Sequence, residues 1–171
     1  MAYAGREIRD AEDDDLAGLN ALEARSFASD RMAPQSLRRL LHRQSACLRV
    51  ASGRGIVAIH GYHLVLFRKG SSVACLYSIA VDDRRRGHGL GWRLLADAEA
   101  VAAGRKAKVL RLEVREDNLS AIRLYQRSGY RLIGSYLRYY ADKTDALRYE
   151  KLLAEPGADR SPARQRRRRG G

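Results

Sequence analysis

Cysteine, proline and long apolar runs are scarce in this chain. Its 171 residues hold two cysteines, three prolines, two phenylalanines and one tryptophan. Cys47 and Cys75 cannot build a disulfide framework, which suits a reducing compartment. No uninterrupted apolar stretch approaches the about 18 residues a membrane-spanning helix needs, so no membrane role is expected. Met1 to Asp10 lacks the apolar segment of a signal peptide, which argues against secretion by that route and for a cytoplasmic location. What is present is enough to fold: 45% of residues are hydrophobic, so wholesale disorder and collagen-like repeats are excluded. Acids are the scarcer charge, with 20 Asp plus Glu against 33 Lys plus Arg, a net +13. A basic body implies an anionic partner: nucleic acid, an acidic protein or a phosphorylated small molecule.

Hydrophobic periodicity divides the chain. Glu7 to Arg9 can open as a short strand. Asp13, Asp14 and Asp15 precede Leu16, Leu19, Leu22 and Phe27 at helical spacing, and acids favour a helix start; the alternative for the triplet is a metal site. A second helix begins near Pro34. Ala46 to Ser52, Ile56 to Arg68 and Val73 to Val81 read as an antiparallel meander, with a turn at Gly53-Arg54-Gly55 and a bulge or kink at Gly61. A helix follows from Gly89 to Ala103, closed by Gly104. Then come a strand from Lys108 to Arg115, a helix from Asn118 to Arg127 stopped at Ser128-Gly129, and strands at Tyr130 to Ser135 and Asp145 to Leu153. The order implies one α/β domain over residues 1–154, with a mixed sheet covered by helices. Residues 155–171 are Pro, Gly and Arg without periodicity and read as a disordered basic tail.

Arg84-Arg85-Arg86-Gly87-His88-Gly89-Leu90-Gly91 joins a strand to a helix. Three glycines in five residues allow close backbone approach, and successive N–H groups at a helix start make an anion cradle. A diphosphate fits it. The Lys-Ser/Thr ending of a P-loop is absent, as is the last glycine of a dinucleotide fingerprint, where Trp92 stands instead.

Ile79-Ala80-Val81 followed by Arg86-x-x-Gly89-x-Gly91 resembles the acetyl-CoA signature of the GNAT family of N-acetyltransferases. Arg111 to Arg115, the run Asn118-x-x-Ala121-x-x-Leu124-Tyr125-x-x-x-Gly129-Tyr130, and Tyr139-Tyr140 with Asp145-Ala146 resemble the second half of that fold. The subgroup these most resemble is the bacterial ribosomal-protein-alanine N-terminal acetyltransferases. The resemblance covers roughly Ile8 to Leu153 and implies a central, mostly antiparallel mixed sheet splayed at the acetyl-CoA site. It also implies that acetyl-CoA is the co-substrate, bound by the backbone of Ile79, Ala80 and Val81, the loop Arg86, Gly87, His88, Gly89, Leu90 and Gly91, and Asn118. An N–H near Val81 would polarise the thioester carbonyl, a contribution of about 3 kcal/mol for such a donor. No metal and no covalent intermediate are implied.

Glu113 points away from Leu110, Leu112 and Val114 in its strand. It reads either as an exposed acid paired with Arg111 or Arg115 or, by the resemblance, as the general base. Asn118 and Tyr125 lie seven apart on one helix face. Asn118 reads as a helix cap or a ligand of the CoA arm. Tyr125 reads as a half-buried aromatic or, by the resemblance, as the acid that protonates the leaving thiolate. His60 and His63 make a poor metal pair, and Cys47 and Cys75 read as small core residues.

The expected reaction is direct acetyl transfer to a primary amine, a peptide or protein N-terminus foremost. Ser29 to Ser36 matches the subgroup poorly and Ile56 to Arg68 is more basic than in it, so a small amine or an internal lysine stays open as acceptor. A module that docks on RNA or the ribosome without turnover is the rival reading, and the tail Arg164 to Arg169 could serve such binding or be a solvated extension.

Overall fold

The computed structural model describes residues 8–53 and 59–154. Glu7, Arg54-Gly55, Ile56 at the start of the second meander strand and the tail 155–171 lie outside the described residues. Seven strands form one sheet: β1 (Ile8–Asp10), β2 (Ala46–Ser52), β3 (Ile59–Leu66), β4 (Val73–Val81), β5 (Val109–Arg115), β6 (Arg131–Tyr136) and β7 (Ala146–Leu152). Their spatial order is β1-β2-β3-β4-β5-β7-β6, with β4 and β5 the parallel pair and the other neighbours antiparallel. The helices are α1 (Leu16–Ser26), α2 (Pro34–Leu41), α3 (Leu90–Gly104) and α4 (Leu119–Arg127). The mixed, mostly antiparallel α/β sheet expected from the sequence is therefore present.

Helices cover both faces. Leu19 and Leu22 of α1 and Leu37 of α2 pack on Val50, Tyr62 and Leu64. On the other face Leu95 and Ala98 of α3 and Ile122 of α4 pack on Leu110 and Leu112. The Asp13–Asp15 triplet forms a 3-10 turn ahead of α1. Asp15 is buried and bound to Arg9 at 2.7 and 2.8 Å, so that acid anchors a helix start to β1.

Two helix ends depart from each other in an instructive way. Gly104 does not close α3; it is its last residue, and the left-handed position falls to Lys106 (φ 64°). Lys106 and Ala107 donate N–H bonds to the carbonyls of Ala103 (2.8 Å) and Ala102 (3.0 Å), so a Schellman closure forms on a lysine. Helix α4 closes as expected at Gly129 (φ 87°), and Tyr130 N–H returns to Tyr125 C=O at 3.0 Å. That closure stacks Tyr130 against Tyr125.

Gly61 sits beside a bulge, because Ala51 pairs with Gly61 and Ser52 with Ile59, leaving His60 as the extra residue. Its missing Cβ also has a packing reason: a Cβ there would lie 2.8 Å from both Ala80 O and Leu94 Cδ1. A second bulge sits in β4, where Leu64 pairs with Ser78 and Val65 with Leu76, leaving Tyr77 unpaired with β3. One extra residue reverses the alternation of a strand. Ala74 and Leu76 face α3 and α4, and after the bulge Ile79 and Val81 do so while Ala80 faces α1.

Candidate active site

The site begins with a gap in the sheet. Strands β4 and β5 pair only at Val73, Ala74 and Cys75 against Val109, Leu110 and Arg111. β4 continues to Val81 bonded to β3, and β5 continues to Arg115 bonded to β7. Beyond Cys75 and Arg111 the facing edges separate, and the Tyr77 bulge stands where they part. Backbone N–H and C=O groups on a separated edge need other partners. A chain or ligand with amides can supply them.

The glycine loop lies at the far end of β4. Asp82 Oδ1 accepts the Arg84 N–H at 3.0 Å and Arg25 pairs with Asp82 at 3.1 Å, which fixes the turn leaving the strand. Gly87 (φ 77°) and Gly89 (φ 81°) occupy the left-handed region. No atom lies within 4 Å of where a Cβ would project at either position, so the backbone there is bare. His88 Nδ1–H donates to Arg86 C=O at 2.8 Å and holds the ring to the loop. The Arg93 N–H to Gly89 C=O bond, 3.1 Å, begins helix α3, so the amides of Leu90, Gly91 and Trp92 have no partner inside the helix. Gly91 differs: a Cβ there would meet Leu124 Cδ2 at 3.5 Å and Val81 Cγ2 at 3.8 Å, ordinary contacts. Bare backbone, amides without a partner inside the helix and the exposed Arg84, Arg85 and Arg86, the last paired with Asp83 at 2.8 Å, are groups of the kind a phosphate-bearing ligand would meet.

Glu113 lies on the separated part of β5. Its sequence neighbours do not neutralise it. Arg111 pairs with Glu150 at 2.9 Å, and Arg115 pairs with Asp30, Asp117 and Asp142. Glu113 instead faces Arg148 across the strands at 3.9 Å, beyond hydrogen-bond range. The carboxylate is partly exposed, with accessible oxygens beside Cys75, Tyr139 and Tyr140, whose thiol and phenol pKa values it helps raise. Burial first, and then Glu113, push the Cys75 thiol up to about 11, so this half-buried thiol stays protonated at neutral pH.

Tyr125 is not half-buried but only 4% exposed. Its ring packs against Tyr130 (5.8 Å between centroids) and Tyr149 (6.5 Å). Burial, and secondarily the Tyr140 phenol, raise its pKa far above that of a free phenol, so it keeps its proton throughout the neutral range. Asn118 does cap α4: its Oδ1 accepts the Ala121 N–H at 3.1 Å. The cap uses the oxygen and not the amide NH2. Glu113 and Tyr125 lie on opposite faces of β5, and no contact joins them. A gap in a sheet opens onto both faces, which is how two such groups can serve one space.

Three residues to which the sequence reading gave no part in the chemistry belong to this region. Tyr140 lies against Tyr139 edge-on at 5.1 Å and under the Arg115 guanidinium at 4.8 Å. Its pKa is pushed up to about 12 by burial first and then by Tyr139. Arg115 ties together the α1–α2 segment through Asp30 (2.9 Å) and the β6–β7 segment through Thr144 (2.9 Å). Glu23, buried in α1, accepts the Met32 N–H at 2.6 Å and the Tyr62 hydroxyl, and Ser78 Oγ reaches the same hydroxyl at 2.7 Å. The segment Ser29 to Ser36 is thus pinned at both Asp30 and Met32. Asp30 and Asp142 stand 85 and 27 residues from Arg115, so no local pattern announces the triad.

Residues 14–130 match the acetyltransferase (GNAT) family. Over 65 residues, 38% of this chain, the sequence is 40% identical to the N-alpha-acetyltransferase RimI of Mycobacterium tuberculosis, covering 39% of that protein. Over 92 residues, 53% of this chain, it is 39% identical to an N-alpha-acetyltransferase of Sulfurisphaera tokodaii, covering 50% of it. The chain spans half or less of the length of the curated relatives it matches. In architecture it is similar to the ribosomal-protein-S18-alanine N-acetyltransferase of Escherichia coli, with TM-score 0.77 and 24% identity over 90% of this chain and 97% of that one.

Proposed function

This chain belongs to the GNAT family of acetyltransferases, and from that premise we propose that it moves an acetyl group from acetyl-CoA directly to a primary amine, foremost a peptide or protein N-terminal α-amino group. The observation that carries this reading is the separation of β4 from β5 beside the bare glycine loop, with Glu113 on the free edge held only by a long ion pair to Arg148 at 3.9 Å. Acetyl-CoA supplies an already activated thioester. The loop amides and Arg86 hold the pyrophosphate, the edge of Ile79 to Val81 bonds the pantetheine amides, and the Asn118 side-chain NH2, left over from its cap, joins them. Glu113 accepts the ammonium proton through water. The neutral amine forms the new N–C bond as the C–S bond breaks, Tyr125 gives its proton to the departing thiolate, and the proton shed by the acetylated nitrogen returns through water to the Tyr125 oxygen.

Two features support an N-terminus over a lysine. An α-amino group has a pKa near ~7.7–8.0 and a lysine near ~10.4, so a carboxylate acting through water has the easier task with the former. The curated relatives with an assigned activity are both N-alpha-acetyltransferases. The catalytic unit is residues 1–154, and the basic segment 155–171 is dispensable for turnover. No helix among the described residues is long and apolar enough to cross a membrane.

Thiol-release kinetics test this. The panel holds peptides that differ in their first residue, the same peptides with blocked N-termini, lysine-bearing peptides and small amines. Turnover confined to free N-termini is expected. Equal turnover of blocked, lysine-bearing peptides overturns the acceptor assignment, and acetyl-CoA binding without any turnover overturns the reaction.

A further inference from the structure

A second cationic surface lies at the end of the sheet away from the glycine loop, and it owes nothing to acetyl transfer. No Asp or Glu occurs between Asp30 and Asp82, nor between Glu99 and Glu113. The fold gathers three segments from these acid-free stretches. Phe67 N–H bonds Ser45 C=O at 2.8 Å, and Lys108 N–H bonds Ser72 C=O at 2.7 Å. Arg105 donates to Gln44 C=O at 2.9 Å and lies over the Phe67 ring at 4.5 Å. A groove between them is lined by Arg43, Ser45, Leu66, Phe67, Arg68 and Lys69. Arg43, Arg68, Lys69, Arg105, Lys106 and Lys108 are all exposed, and none of the six is in an ion pair among the described residues. Leu153 N–H donates to Lys108 C=O at 2.9 Å, which ties the end of β7 to the same surface.

We propose that this end of the molecule binds the phosphate backbone of a nucleic acid. Spaced, unpaired cations with serine hydroxyls between them suit a chain of phosphates. A protein partner needs an apolar centre to its interface. The three segments expose no large apolar side chain, and Leu152 at the end of β7 is too small a patch to provide one. The contact is to the backbone, so sequence preference is weak and salt dependence strong.

The test is fluorescence anisotropy of the full chain with a labelled 20-nucleotide single-stranded RNA and with DNA of the same sequence, across a salt series. The variant is Arg43→Gln with Arg68→Gln and Lys69→Gln, chosen because none of these side chains is bonded within the fold; a melting curve confirms that it stays folded. Binding should weaken by about tenfold or more, and the slope of log K against log salt should flatten by about 2, near ~0.7 for each lost single-strand contact. RNA bound more tightly than DNA assigns the contact to RNA through its 2′-hydroxyls, and equal binding assigns it to the shared phosphates. Peptide turnover by the variant should equal that of the parent, which separates this surface from the acetyl-transfer site. A folded variant with unchanged affinity and slope overturns the inference. Polyglutamate that competes as well as RNA overturns it too, in favour of an acidic protein.

Discussion

At the scale of single residues, the loop and the two proton-bearing groups make separable claims. Gly89 combines a positive φ with a bare outer side, so Gly89→Val meets a backbone cost of about 1–2 kcal/mol and places atoms where the pyrophosphate is to lie. Calorimetry should show acetyl-CoA affinity reduced more than tenfold (about 1.4 kcal/mol per decade) in a folded protein. Gly91→Ala is the control: its Cβ meets only ordinary contacts inside a helix, so affinity should hold and the melting temperature should not fall. Tyr125→Phe keeps a ring already packed between Tyr130 and Tyr149 and removes one proton. Its turnover should drop by ~10²–10⁴ with acetyl-CoA affinity and melting temperature nearly unchanged. Glu113→Gln should lose rate chiefly at low pH and recover as pH rises through the amine's own pKa. A pH–rate series in which both variants behave alike would leave the two roles unassigned to these residues.

Among elements, the informative joints are those that hold loops to strands. Arg115 at the end of β5 clasps Asp30 from the α1–α2 segment and Asp142 and Thr144 from the β6–β7 segment. Its bonds to Asp142 and Asp117 raise its own pKa and hold the Asp142 carboxyl far below the usual range. We propose that by holding these two segments beside the free end of β5 it positions the acceptor. Arg115→Gln should therefore raise KM for the peptide more than it lowers kcat, with KM for acetyl-CoA little changed; Arg115→Lys should restore part of the loss. Steady-state kinetics on both substrates reads that split, and a general loss of stability without it would reduce Arg115 to a fold residue. A different joint, Asp97 on α3, receives Arg49 of β2 at 2.7 Å and the buried His63 of β3 at 2.6 Å, and so fastens the helix to the sheet.

For the molecule as a whole, these joints set the response to acid. Burial works against ionised Asp97 and Asp15, but hydrogen bonds from His63 and Arg49 to the one, and from Arg9 and the Glu12 backbone to the other, leave both below the ordinary carboxylate value. Such groups stabilise the fold above the unfolded pKa of ~3.9, and the contribution is lost as pH falls through the lowered value. His60 is depressed by burial first and by Arg85 second, so its contribution is present above ~6.5 and fades below it. The melting temperature should thus decline gently between about pH 6.5 and 5 and steeply below about pH 4. A flat melting profile down to pH 3 would contradict the assignment of these carboxylates. Deletion of residues 158–171 should leave peptide turnover intact, because no residue proposed for the site lies there; collapse of turnover would move the boundary of the catalytic unit.

Much of this was legible in residue order because its cause is local. The helical spacing of Leu16, Leu19 and Leu22, the exact extents of β2 and β4, and the stop at Gly129 all follow from period and turn chemistry within a few residues. The glycine loop was readable too, since bare backbone requires glycine itself. The gap between β4 and β5 was not, except through resemblance to a family. Val73 to Val81 reads as one continuous strand, and nothing in its alternation says that pairing with β5 ends at Cys75 or that Tyr77 is the extra residue that brings Ile79 and Val81 to the face of Ala74 and Leu76. The fate of Glu113 was equally hidden. Two arginines flank it in sequence, yet each is taken by acids that only folding brings near, and the carboxylate is left with Arg148 at 3.9 Å. Strand register, loop-to-loop ion pairs and the gathering of three acid-free segments at one end are long-range pairings. Their energies depend on which distant groups meet, and that is decided when the chain closes on itself.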